Sequence, residues 1–537
     1  MFQMMVLVSK YVYLFLLVMF AGIGYFVYWR KPSANVCKEM YSYQAGVIVL
    51  FNLLSCILIV LKEWNKNIPW ETFQMLLLYA GVMFGMYFLL LTLHRHTNRL
   101  LWNCVYMLLS VGFITLWRLD PDTAKTQIYW IAGGFAVVNV VLLFFRGRWI
   151  WKIPGIVFMV VSVGLILLPF VFPSEANGSL NWANIKGFVF QPSEFVKLTY
   201  AFFIAVLYTK TNKLSSLVQA AVVAGFMMLV LLVQNDLGAL LIFGILTWMM
   251  TYDYLDRAIV LWGGCIGIII GAILAYKFVG HVTVRFDIWM DPWADINGGG
   301  YQIAQSLFAI TSGGWFGTGL YQGSPGYIPA RTTDMIFSAI SEEFGAVFAI
   351  VLLLIYLLMF LFVMETGRRE KNTFRRNLLV AFGVLFMSQT FIIVGGVIKL
   401  IPLTGVTMPF ISYGGSSLLS NFITIGIIEA VIRLYRMDRE EARQREQRRE
   451  EEEWEAYYAA VEAQQREANR YAGWQSENRR SAESVRSAAG SRQTAGSRDA
   501  ARGQKTGSQA ATDQTAVKGQ KKPAKRSIKP FEFDDPF

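Results

Sequence analysis

Three polar stretches interrupt an otherwise apolar chain, and each carries residues able to move protons or hold phosphate. The first is Phe190-Gln-Pro-Ser-Glu-Phe-Val-Lys-Leu198. Pro192 suits the first turn of a helix, and Glu194 and Lys197, three apart, then share one face. They form either a local ion pair or a ligand-facing pair at the membrane surface. The second stretch opens with Arg285-Phe-Asp-Ile-Trp-Met-Asp-Pro-Trp-Ala-Asp295 and closes with Pro325-Gly-Tyr-Ile-Pro-Ala-Arg-Thr-Thr-Asp-Met-Ile-Phe337. Asp334 stands at the mouth of the next apolar run, which also carries Glu342 and Glu343. On one continuous helix Glu343 would lie roughly 13 Å deeper than Asp334. Asp334 then either caps that helix or, with the deeper acids, lines a polar cavity. The third stretch, Lys399 to Leu418, places Gly, Pro, Ser416 and Ser417 at membrane depth. Irregular backbone there must line a cavity or be buried in protein.

The chemistry open to these residues is limited. A carboxylate such as Asp334 can accept a proton from a hydroxyl. Arg285, Arg331 and Lys399 can hold phosphate oxygens, the arginines bidentately. His94, His96 and His281 form no triad or metal pattern, and no GxGxxG, Walker or HExxH motif is present. Cys37, Cys56, Cys104 and Cys265 are scattered, without metal spacing or a disulfide framework. No metal ligand is assigned.

The elements that must position these groups are membrane helices. Of 537 residues 55% are hydrophobic, with mean hydropathy +0.42. Continuous apolar runs predict about thirteen spans on a criterion of about 20 residues each: 11–29, 43–62, 74–93, 100–117, 127–145, 151–173, 195–208, 217–233, 237–252, 258–279, 335–364, 378–400 and 412–434. The runs do not alternate, so helices rather than a barrel cross the bilayer. The first is a retained span rather than a cleaved signal, since no A-x-A-like site follows. An ionisable group inside such a span costs at least about 2.5 kcal/mol and marks function by default.

Lys and Arg in short loops set the orientation. Arg30, Lys31 and Lys38; Arg95 and Arg99; Arg146, Arg148 and Lys152; Lys210 and Lys213; and Arg368 to Arg376 all fall on one side, the cytoplasm. The tail joins them, and the odd span count puts the N-terminus outside. Two outer loops result, Pro173–Phe190 and 280–333. The second is long and aromatic, with Trp289, Trp293, Trp315 and Tyr327, so it should fold on the membrane surface. The net charge of +12 is spread over short loops and the tail, which argues for topology and against nucleic-acid binding. After Leu434, residues 435–475 form a charged helical segment and 476–537 a basic tail without apolar residues enough to order it.

Five stretches in this order resemble the SEDS (FtsW/RodA-like) family of shape, elongation, division and sporulation proteins. They are Gln191-Pro-Ser-Glu194, Gln234-Asn-Asp-Leu-Gly238, Asp291-Pro-Trp with Gly300-Tyr-Gln302, Thr333-Asp334 with Glu342-Glu-Phe-Gly345, and Pro409-Phe-Ile-Ser-Tyr-Gly-Gly-Ser-Ser417. The resemblance covers about 100–434 and implies an all-α polytopic transmembrane bundle with a ten-span core. About three extra N-terminal spans, 1–99, and a cytoplasmic tail lie outside it. It also implies a peptidoglycan glycosyltransferase in the bacterial plasma membrane that polymerises lipid II and releases its undecaprenyl carrier. A class B penicillin-binding protein would be its partner, and the tail would bind division or elongation proteins.

On this reading Asp334 is the catalytic carboxylate. Arg285, Arg331, Lys197, Glu194, Lys399, Glu343, Ser416 and Ser417 bind substrate, and a divalent cation such as Mg2+ or Mn2+ could share the work on the diphosphate. Lys197 is expected to pair with Asp334 and hold it ionised. Departures from the family pattern are Ala330 and Thr332 ahead of Asp334, and Ile393 four residues after Gln389. A lipid II flippase and a non-catalytic scaffold that activates a penicillin-binding protein would use the same polar cavity. The large outer loop and the carboxylate at its base favour chemistry.

Overall fold

The computed structural model describes residues 2–63, 70–94, 97–147, 149–176 and 179–490. Arg95, His96, Arg148 and the tail from 491 on therefore lie outside the described residues. Sixteen α-helices follow in order: α1 (Phe2–Arg30), α2 (Ala34–Glu63), α3 (Trp70–Leu93), α4 (Arg99–Leu119), α5 (Pro121–Phe144), α6 (Gly155–Val171), α7 (Pro192–Leu207), α8 (Lys213–Val233), α9 (Leu237–Leu255), α10 (Ala258–Phe278), α11 (Gly280–Met290), α12 (Tyr301–Gly313), α13 (Ile336–Phe344), α14 (Ala346–Arg369), α15 (Thr373–Val397) and α16 (Gly415–Gly490). Among the described residues eleven are long and apolar enough to cross a membrane, and the apolar α6 is slightly shorter. With α6 and α7 the helices fall where thirteen spans were expected. The helical segment after 434 continues to Gly490, past the expected end near 475, because its Glu, Arg, Gln and Ala content persists.

One expected span is not a single helix. The run 335–364 breaks at Gly345, whose φ of +91° suits only glycine. The segment at its head, α13, is a nine-residue elbow ahead of the span α14. Residues 314–319 run beside this elbow. Thr318 N donates to Glu342 O at 2.9 Å, Gly319 N to Glu343 O at 2.9 Å, and Ala346 N to Gly314 O at 2.9 Å.

The outer loop Pro173–Phe190 folds as a three-stranded antiparallel meander, β1 (Pro173–Ala176), β2 (Ser179–Ile185) and β3 (Phe188–Phe190). Lys186 and Gly187, both at positive φ, make the two-residue turn between β2 and β3. The loop 280–333 is built on α11 and α12, joined to α13 by tight turns.

The core lies around α4, on which residues 100–117 are all buried. Two of its polar side chains bond the neighbouring helix α2. Asn103 donates to Tyr41 O on α2 at 3.0 Å, and Ser110 accepts from Asn52 at 2.7 Å. In contrast α10 buries none of its residues. At one end of the bundle Lys31 pairs with Glu365 at 3.5 Å, among Arg368 and Arg369. At the other end α1 begins beside the loop that carries Asp334.

Candidate active site

Asp334 sits in a tight turn, not in a helix. Ala330 adopts φ +49°, and its carbonyl accepts from Thr333 N and Met335 N, both at 3.1 Å. The N-cap of α13 is Met335, without a side-chain cap bond, so Asp334 does not cap the helix. The turn is pinned to the start of the α16 region: Ser412 Oγ donates to Thr333 O at 2.7 Å and Tyr413 N to Thr332 O at 2.9 Å. Burial pushes the Asp334 carboxyl up to about 6, and the Thr333 hydrogen bond and the Arg285 charge pull the other way. A carboxyl poised near neutrality is suited to exchange a proton at working pH.

Arg285, on α11, acts on this carboxylate through its charge. Its Nη1 donates to Leu403 O at 3.0 Å, and its charge acts on both Asp334 and Asp236. Gly405, at φ +78°, lies beside Asp334 in the same irregular stretch as Leu403. Asp236 caps α9 by accepting from Ala239 N at 3.0 Å, and its other oxygen accepts from Asn181, Gln191 and Ser193, each at 3.0 Å. One carboxylate thus ties the β-meander, the start of α7 and the start of α9 together. Gly238 lets α9 approach the 404–406 stretch; a Cβ there would stand 2.4 Å from Val406.

Lys197 does not pair with Asp334. Its Nζ donates to Glu194 at 2.9 Å and to Gln389 Oε1 at 3.2 Å, with Glu194 and Lys197 both buried. The i,i+3 spacing on α7 makes this pair local, and leaving either charge unpaired in the interior would be expensive. Gln389 passes the network on by donating to Thr407 O at 3.0 Å, and Thr407 donates to Ser417 Oγ at 2.7 Å. Beside it Lys197, Gln389, Ser420, Asn421 and Thr424 line a cavity with room for about one water. Ser416 accepts from Gln191 N at 3.2 Å. Ser416 and Ser417 therefore join the irregular stretch to α7.

The remaining candidates separate. Glu343 accepts from Arg118 Nε at 2.8 Å and Tyr321 N at 3.2 Å, and Glu342 from Ser324 N at 2.7 Å. Because Asp334 sits in the turn ahead of α13 and not on the helix, neither continues a line of acids below it; both fasten the outer loop. Arg331 donates to Gly326 O at 3.2 Å. Lys399 donates to Met290 O at 3.3 Å, while its carbonyl accepts from Trp289 at 3.1 Å, which closes α11 onto the irregular stretch. No three His, Cys, Asp or Glu side chains among the described residues are grouped to hold a metal.

Asp236, Gln389 and Arg118 escaped the residue-level reading. Asp236 and Gln389 carry signals in hindsight, one an Asp before a helix-starting Leu-Gly and the other a lone amide in an apolar span. Arg118 sits at the end of α4, where a cation passes for an interfacial anchor.

A family model described as a cell cycle protein, covering FtsW, RodA and SpoVE, matches residues 96–436. The peptidoglycan glycosyltransferase RodA of Mycobacterium tuberculosis is 32% identical over 413 residues, covering 70% of this chain and 87% of the relative. The probable peptidoglycan glycosyltransferase FtsW of Bacillus subtilis is 32% identical over 339 residues, covering 59% and 82%. A chain from a solved peptidoglycan synthase complex that coordinates polymerization and crosslinking superposes with a TM-score of 0.53 at 24% identity, over 62% of this chain and 96% of that one. The match begins between α3 and α4 and takes in every residue of the Asp334 site, and on that extent this chain belongs to the SEDS family of FtsW, RodA and SpoVE proteins.

Proposed function

We infer that this chain is a peptidoglycan glycosyltransferase that polymerises lipid II at the outer face of the membrane. The observation that carries the reading is a half-buried carboxylate, Asp334, held by a strained turn at a helix mouth within reach of the Arg285 charge. Asp334 takes the proton from the acceptor sugar hydroxyl. That oxygen bonds the anomeric carbon of the donor, and the bond to the polyprenyl diphosphate breaks with its electron pair. Arg285 stabilises the charge that develops on the leaving diphosphate; of its five donors one goes to Leu403 O.

The N-terminus lies outside and α16 leads into the cytoplasm. Support comes from the cluster of Lys31, Arg368 and Arg369 at one end and from the start of α1 beside the Asp334 loop at the other. A class B penicillin-binding protein is the partner, in keeping with the synthase complex that the fold resembles. The test is purified full-length protein given lipid II, with polymer resolved on a gel. Wild-type protein should give glycan strands and Asp334→Asn none. Transfer of lipid II across vesicles without polymer would replace this reading with transport.

A further inference from the structure

The hairpin of α1 and α2 precedes the family match, and the chemistry above makes no use of it. Its outer end nevertheless touches the loop that carries the active carboxylate. Lys10 Nζ donates to Gly317 O at 2.9 Å. The ring of Phe2 lies 6.2 Å from that of Tyr321. Lys62, at the end of α2, stands 5.3 Å from the Phe2 ring and 5.5 Å from the Tyr321 ring. Deeper, Tyr13 meets Phe344 of α13 edge-on at 5.4 Å.

Tyr321 is where these contacts converge. It holds φ +70°, unusual for a bulky residue, so its surroundings must impose that conformation. Arg118 adds a second cation 5.2 Å from the same ring. The backbone N–H of Tyr321 donates to Glu343 of α13, and residues 318 and 319 bond the carbonyls of Glu342 and Glu343. Asp334 lies two residues before α13. Its cationic counterpart Arg285 is fastened elsewhere, to Leu403. The distance between the two charges therefore depends on how α13 is seated as well as on the Ser412 and Tyr413 bonds that hold the turn.

We propose that the α1–α2 hairpin is a positioning brace for the catalytic loop: Phe2, Lys10 and Lys62 hold Gly317 and Tyr321, and these seat α13 and with it Asp334. Simple membrane anchoring would call for apolar length in α1 and α2, not for cations directed at one ring and one carbonyl. Attraction of a cation to an aromatic face is directional and is retained when Lys becomes Arg. Misplacement of a reacting group by about 1 Å can cost about a hundredfold in rate, so a modest loosening should be visible in kcat.

The proposal rests on Asp334 acting in lipid II polymerisation, and the experiment separates the two. Full-length wild type, Lys10→Ala/Lys62→Ala and Lys10→Arg/Lys62→Arg are compared by backbone hydrogen exchange and by kcat and KM for lipid II. In the alanine pair, amides in 314–323 and 332–335 should exchange about tenfold faster while α4 and α15 keep wild-type protection, since opening there is local. Its kcat should fall about tenfold with KM within about twofold, a loss in the reaction step rather than in binding. The arginine pair should recover most of both. Unchanged exchange in the loop, faster exchange spread equally over α4 and α15, or an arginine pair as defective as the alanine pair would each overturn the brace. If wild-type protein makes no polymer, the enzymatic reading fails, and the exchange comparison still decides whether the hairpin holds the loop.

Discussion

Asp334 and Glu343 stand nine positions apart, one in the turn ahead of a short helix and one near its end, and their surroundings differ. Glu343 is buried, and one of its oxygens accepts from a guanidinium at 2.8 Å and from a backbone N–H. Asp334 is only half-buried, sits in a strained turn, and feels its nearest cation as a field rather than as an ion pair. A carboxylate whose lone pairs are committed to fixed donors holds structure. One whose neighbouring guanidinium acts on it only through its field can exchange protons with a ligand.

The sharpest way to break that contrast is to neutralise each acid in turn. Asp334→Asn should lower polymerisation by at least about a hundredfold, the usual contribution of a general base, with an unchanged melting profile. Glu343→Gln should change kcat per folded molecule by less than about threefold. Equal losses in the two variants, both still folded, would erase the distinction.

Stability should show the reverse order. Arg118→Ala strands the buried Glu343 charge and should cost about 3 kcal/mol, measured as denaturation in detergent. Adding Glu343→Leu to it should restore most of the loss. No change on Arg118→Ala would mean that the ion pair is idle.

A double-mutant cycle sharpens the boundary of the catalytic region. Lys197 shares partners with Glu194 and not with Asp334. Stability changes in Lys197→Ala and Glu194→Ala should therefore couple by about 1 kcal/mol, while Lys197→Ala and Asp334→Asn should add within about 0.5 kcal/mol. Strong coupling of the second pair would bring Lys197 back to the carboxylate.

The smallest effect expected is in the pH profile. Burial raises the folded-state pKa of Asp334 to about 6. The ionised base is therefore present above that pH, and activity should fall as pH drops through it, by about tenfold per unit once well below. Arg285→Ala removes the charge that lowers this pKa, so the inflection should move upward. A profile flat from pH 5 to 8 would show that Asp334 does not titrate in the rate-limiting step.

The sequence alone determined that the chain is a helical membrane protein, because uninterrupted apolar length has few other uses. It also located the polar stretches at 190–198, 325–337 and 399–418, since charge and irregular backbone at membrane depth need a reason. What the tertiary structure decided is who meets whom. Helices α4 and α10 are both apolar enough to cross a membrane, yet one buries residues 100–117 and the other buries nothing; lipid tails are as apolar as leucine, so hydropathy alone does not tell a protein neighbour from a lipid one. Lys197 could have reached for Asp334 or Glu194, and only the packing of α7 beside Gln389 settled it. The row of acids expected from Asp334 to Glu343 assumed one straight helix. The turn at Ala330 takes Asp334 off the helix that carries Glu343, and this backbone conformation is why the two acids do not form a row.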